Sequence, residues 1–134
     1  MAGVTNAEKI KAAIREAIDK PQGELTKAYL EKVAMLFIKR KQLTSVSGLT
    51  GLMKLEVLGL DGNRLIDISP LAGLTQLKGL HLNGNQLTDD QLKHLAGLKG
   101  LRSIDLRGIS TLTKAEVDKL KEALPKCSIS SDFD

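Results

Sequence analysis

Few side chains in this sequence can do covalent chemistry: it holds two histidines, one cysteine and no tryptophan. His81, Ser103 and Asp105 are the residue types of a base, a nucleophile and an orienting acid. They could meet only if the segments that carry them lie side by side. Even then they would sit on an open surface, with no pocket and no oxyanion donor. A hydrolase using His81 and Asp105 is therefore the remotest reading. His81 with Asp61 and Asp105 offers metal-ligand types, but at a spacing that matches no ligand motif. Cys127 is alone, so no intrachain disulfide can form. It is expected as a buried edge-strand thiol, not a nucleophile. Gly48, Gly51, Gly62, Gly73, Gly84 and Gly97 recur at regular intervals and read as turn residues, not as a phosphate-binding loop. Neither a cofactor nor a metal is expected.

Charge narrows the partners. Residues 1–42 hold 9 Lys/Arg against 5 Asp/Glu, and residues 43–134 hold 11 against 11. The whole excess of +4 therefore lies in the N-terminal third, densest at Lys39, Arg40 and Lys41. Nucleic-acid binders pair such a run with stacking rings or a known module, and aromatics are only 2% here. No nucleic acid is expected, and the run reads as a solvated edge. No apolar stretch is long enough for a membrane span. The first residues lack a signal-peptide apolar region. That fits either a cytoplasmic protein or a secreted one whose signal has been removed.

The positioning elements come from a leucine pattern. Leu52, Leu55, Leu58, Leu60, Asn63, Leu65, Ile68 and Leu71 form one copy, and the next begins at Leu74 with Leu77, Leu80, Leu82, Asn85 and Leu87. An earlier copy runs Leu30, Val33, Leu36, Ile38, Leu43, Val46 and Leu49, with Lys41 in the Asn place. A later one starts at Leu98 and continues Leu101, Ile104 and Leu106, with Ile109 in the Asn place. Each Leu-x-Leu predicts a short strand with its leucines inward. Each Asn carries donors and an acceptor for backbone groups where the chain leaves the strand. A single copy cannot bury its apolar side, so copies must stack and the ends must be capped.

Residues 5–19 predict an amphipathic helix, with Thr5 and Glu8 at capping-box spacing and Ile10, Ala13, Ile14, Ala17 and Ile18 on one side. A turn is expected at Asp19 to Gly23, around Pro21. Thr26 can cap a short second helix. At the other end, Thr113 and Glu116 repeat the capping spacing before Val117, Leu120, Ala123 and Leu124. Pro125 stops that helix. Cys127 to Ser130 then alternates as an edge strand, and Ser131 to Asp134 should fray as an acidic tail.

The repeat, and the stretch Ile66-Asp67-Ile68-Ser69-Pro70-Leu71-Ala72-Gly73-Leu74, resemble the bacterial leucine-rich repeats of the internalin type over residues 30–109. The resemblance implies a parallel sheet whose concave side usually receives partners. The expected fold is α/β: a short right-handed leucine-rich-repeat solenoid with a parallel concave β-sheet. Residues 1–29 form an N-terminal helical cap. Four repeats follow at 30–51, 52–73, 74–97 and 98–112, and residues 113–134 supply the C-terminal helix, strand and tail.

Strand alternation turns the residues between the leucines outward in three columns. They are Met35, Val57, Gly79, Ser103; Phe37, Gly59, His81, Asp105; and Lys39, Asp61, Asn83, Arg107. The candidate partner-binding residues are Met35, Phe37, Lys39, Val57, Asp61, His81, Asn83, Ser103, Asp105 and Arg107. Met35, Phe37 and Val57 make an apolar corner beside the basic run, able to anchor a partner or be covered by the cap or a second copy. The expected function is a non-enzymatic protein-binding scaffold. The alternative is a structural module that self-associates, as a weak homo-oligomer, through that corner or an edge strand.

Overall fold

The three residues centred on each inward leucine form the strands: β1 (Met35–Phe37), β2 (Val57–Gly59), β3 (Gly79–His81), β4 (Ser103–Asp105) and β5 (Ser128–Ser130). They build one parallel sheet in chain order. Its register stacks Leu36, Leu58, Leu80, Ile104 and Ile129 in a single inward row. The second member of each pair, Ile38, Leu60, Leu82 and Leu106, lies just past the strand and is also buried. This computed structural model describes residues 4–20 and 22–133. Met1 to Gly3, Pro21 and Asp134 lie outside the described residues, and with them the proline of the turn expected at 19–23 and the last residue of the acidic tail.

The return path of the first three coils is a 3-10 turn, at Ser47–Leu49, Ser69–Gly73 and Asp89–His94. The third is the longest and absorbs the two extra residues of that repeat, since both Leu92 and Leu95 are buried. The aliphatic side chains of sheet and turns join in one continuous core along the stack. A core without rings is possible because every layer repeats the same shape, so leucine packs on leucine.

The asparagines do more than close their own turns. Asn63 Nδ2 donates to the carbonyls of Leu60, in its own coil, and Ile38, in the preceding one. Its Oδ1 accepts from the N–H groups of Lys41 and Leu43. Asn85 repeats this one coil later, donating to Leu82 and Leu60 and accepting from Leu65 N–H. Each amide therefore ties its coil to the one before. This explains how the first repeat tolerates Lys41: its backbone is satisfied from Asn63. In the equivalent turn, Gly62, Gly84 and Gly108 take positive φ near 70°, and Arg40 fills the same place with φ 51°. Among the six glycines expected to serve turns, only Gly62 and Gly84 need that freedom; Gly48, Gly51, Gly73 and Gly97 have ordinary φ.

Both caps form. Helix α1 (Asn6–Ala17) begins with Thr5 Oγ1 accepting from Glu8 N–H, and buries Ile10 and Ile14 on the first coil. Ala17, expected on the apolar side, is exposed. The second helix, α2 (Lys27–Leu30), is a single turn, and Thr26 has the extended backbone of a cap without the side-chain hydrogen bond. At the other end α3 (Lys114–Ala123) is capped by Thr113, which is itself held by Asp89 from the third coil through both its N–H and its hydroxyl.

Two expectations at this end are corrected. Cys127 precedes β5 instead of starting it and is half-buried, and burial raises its thiol pKa. Nor does the tail fray where it was expected to begin: Ser131 is 6% exposed, and the Asp132 carboxylate accepts from Gly108 N–H. An acidic side chain at that position does for the last coil what a backbone carbonyl just past the next strand does for the others.

Candidate partner-binding face

The register sets Met35, Val57, Gly79 and Ser103 in one row across the sheet, and Phe37, Gly59, His81 and Asp105 in a second. Past the strand ends, Arg40 N–H donates to the Asp61 carbonyl, Gly62 N–H to Asn83 and Gly84 N–H to Arg107. These bonds align Lys39, Asp61, Asn83 and Arg107 as the third row. All three columns therefore lie together on the outward side of the sheet, opposite the leucine row.

At the N-terminal end this side is apolar. Met35 is 54% and Phe37 46% exposed, so the cap leaves the corner open. The Phe37 ring lies across Gly59, where a Cβ would stand 2.5 Å from Cδ1. The missing side chain leaves room for the ring over the Gly59 backbone. Between α1 and β1 runs a groove of about 370 Å³ whose lining includes Val4, Lys9, Ala12, Ala13, Phe37 and Lys41. The repeat pattern gives no sign of this groove. It exists because α1 packs through Ile10 and Ile14 and turns its small residues, Ala12 and Ala13, toward the β1 edge.

The remainder of the face is polar and carries two ion pairs. Lys39 Nζ stands 4.0 Å from Asp61 Oδ2, while Asp61 Oδ1 is buried without a hydrogen-bond partner among the described residues. Asp105 is gripped by Arg107, with Nε and Nη2 each on one carboxylate oxygen and the Arg107 N–H on Oδ1. That grip is the main reason its carboxyl pKa is lowered, and the nearby His81 adds to it.

A pH prediction follows. With the folded pKa below the unfolded one, the pair stabilises the fold above about pH 4 and that stabilisation is lost as pH falls through the folded value. Asp105→Asn should narrow the gap between urea midpoints measured at pH 7 and pH 2. An unchanged gap would show that Arg107 does not couple to folding.

The structure brings His81 and Asp105 side by side, yet it does not assemble the triad. Asp105 is turned to Arg107, and Ser103 stands in the other row, beside Gly79. Among the described residues no three His, Cys, Asp or Glu side chains are grouped to hold a metal ion. No described helix is long and apolar enough to cross a membrane.

Solved structures share this architecture. An internalin of Listeria monocytogenes matches with TM-score 0.79 and 27% identity, over 95% of this chain and 36% of that one. Internalin C2 of the same organism matches with TM-score 0.80 and 26% identity, over 94% of this chain and 54% of its own. A leucine-rich-repeat protein of Leptospira interrogans matches with TM-score 0.56 and 22% identity over 80% of this chain and 34% of that one, which shows the fold alone. The chain thus spans about a third and about half of the two internalins. No protein-family model matches the sequence, and no curated protein sequence matches it. Parallel strands on a leucine row, asparagines tying coil to coil and the shared architecture together identify the chain as a bacterial internalin-like leucine-rich-repeat protein.

Proposed function

We propose that this chain is a non-enzymatic scaffold that binds a protein partner through the outward side of its sheet, anchored at the corner of Met35, Phe37 and Val57. The repeat fold is a general platform for protein interaction. The observation that carries the reading is the exposed ring of Phe37, seated on Gly59 at the head of a face that continues through Asp61, His81, Asn83, Asp105 and Arg107. An aromatic side chain offers a large contact area with few rotatable bonds to freeze, which is what makes aromatic anchors effective. Lys39 and the mixed charges beyond it would set register and orientation more than affinity.

The test compares capture of partners from extract by the wild-type chain and by two double variants. Phe37→Ser with Val57→Ser should lose binding by roughly tenfold to a hundredfold. Met53→Ser with Ile66→Ser, apolar and exposed but between the strands rather than on them, should bind as the wild type does. Equal loss in both would sink the corner as the anchor.

A further inference from the structure

Folding sorts the charges of the coils. Residues 43–113 hold 7 Lys/Arg and 6 Asp/Glu, close to balance. Yet the turns that lead into the strands hold four of those cations, Lys54, Lys78, Lys99 and Arg102, and one acid, Glu56. The rest of the coils keep three cations and five acids. Lys32 ahead of β1 and Lys126 ahead of β5 carry the basic edge to both ends of the stack. The run Lys39 to Lys41 is not part of it. That run leaves β1 at the opposite edge, where Asp61 stands against Lys39.

Backbone hydrogen bonds align this edge. Glu56 N–H donates to the Ala34 carbonyl, Lys78 N–H to Glu56 and Arg102 N–H to Lys78, so these residues stack in one row. Lys32 and Lys54 share a repeat position two residues earlier in their coils, and Lys99 precedes Arg102 by three. The six cations therefore cover an area, about 19 Å across the five strands and several residues deep. All six are exposed. Among the described residues only Lys78 of the six meets a carboxylate, that of Glu56 at 3.3 Å. Lys99 Nζ donates to the Ala123 carbonyl, which leaves its charge uncancelled. Met53, 46% exposed, lies in the same turn as Lys54.

We infer that this edge docks on an anionic lipid surface. Each Lys or Arg held near such a surface adds about fivefold to the affinity, so a cluster of this size is enough for peripheral binding. Five of the six are lysines, whose flexible, hydrated point charges suit a diffuse negative surface better than a fixed, directional partner. Their spread over an area fits a plane better than a single thread of polymer. The ring beside Lys32, Tyr29, is half-buried, with the Lys20 and Lys32 ammonium groups 4.0 and 5.1 Å from its centre, so it is not open to stack a base. Met53 supplies one apolar side chain for the headgroup layer. With this edge set down on the bilayer, the strands run away from the membrane and the outward side of the sheet stays open. The contact neither uses nor covers that side, and it stands whatever binds there.

The test is cosedimentation of the whole 134-residue chain with lipid vesicles at low salt. Vesicles of phosphatidylcholine and phosphatidylglycerol in equal parts should bind it, and vesicles of phosphatidylcholine alone should not. Binding should be lost at about 1 M salt, where charges are screened within about 3 Å. Lys54→Gln with Arg102→Gln should weaken binding about twenty-fivefold, about fivefold for each charge removed. Lys11→Gln with Lys93→Gln makes the same change in net charge away from this edge and should bind close to the wild type. All four side chains are exposed, so circular dichroism should be unchanged in both variants. A chain that ignores the anionic vesicles overturns the proposal. So does equal loss in the two double variants, which would make net charge the cause. Capture by soluble polyphosphate with none by vesicles would overturn it too, and would make the edge a polymer site.

Discussion

Asn63→Leu is expected to lower the unfolding free energy by about 3–5 kcal/mol, a large part of the total of a domain this size. The leucine matches the side chain in bulk but offers no polar atoms. It removes a bond from four backbone groups, the N–H groups of Lys41 and Leu43 and the carbonyls of Ile38 and Leu60, and leaves all but Leu60 unmet. Most of these are buried, and each buried polar group left without a partner costs about 1–3 kcal/mol. The sum is trimmed because Leu60 keeps its bond from Asn85 and because Lys41 is reachable by water. Asn85→Leu removes three bonds instead of four and should cost less. Urea unfolding of both variants measures the difference. If Asn85 proved the more costly, satisfaction of the first coil from Asn63 would not be what holds that coil in place.

Leu80→Ala is expected to cost about 3–5 kcal/mol, at the upper end for a buried leucine. Leu80 has no exposed surface and sits in the central strand, stacked between Leu58 and Ile104. A cavity there is hard to collapse, because moving either neighbour breaks parallel pairing on both sides. The equivalent change at the end of the row, Ile129→Ala, should cost clearly less, since Ile129 is 7% exposed and bounded on one side only. The two costs together check whether the stack unfolds as one body. A second transition in Leu80→Ala, with one half of the array melting before the other, would show that its coils are only loosely coupled.

The structure also shows how far a spacing rule reaches. Leu36, Leu58, Leu80 and Ile104 were legible as a stacked inward row because the period of the repeat and the alternation of a strand each admit one register. From that register the outward columns follow without further information, and so does the neighbourhood of His81 and Asp105. Which neighbour Asp105 would choose did not follow. Arg107, two residues on, offers a planar fork that takes both carboxylate oxygens. His81 offers one ring edge from across the sheet, so the local pair wins over the one that chemistry would have needed.

The amino-acid sequence by itself determined the repeat, the inward row, the caps flanking it and the composition of the outward side, because each of these depends on local periodicity and on short-range hydrogen bonding. Tertiary structure alone decided which polar groups meet. Asn63 reaches back one coil to serve Lys41 and Leu43, Asp132 closes the last turn at Gly108, and α1 leaves Phe37 open beside a groove. None of these has a signature in spacing. Each depends on the distance between segments twenty or more residues apart, and only the packed leucine stack sets that distance.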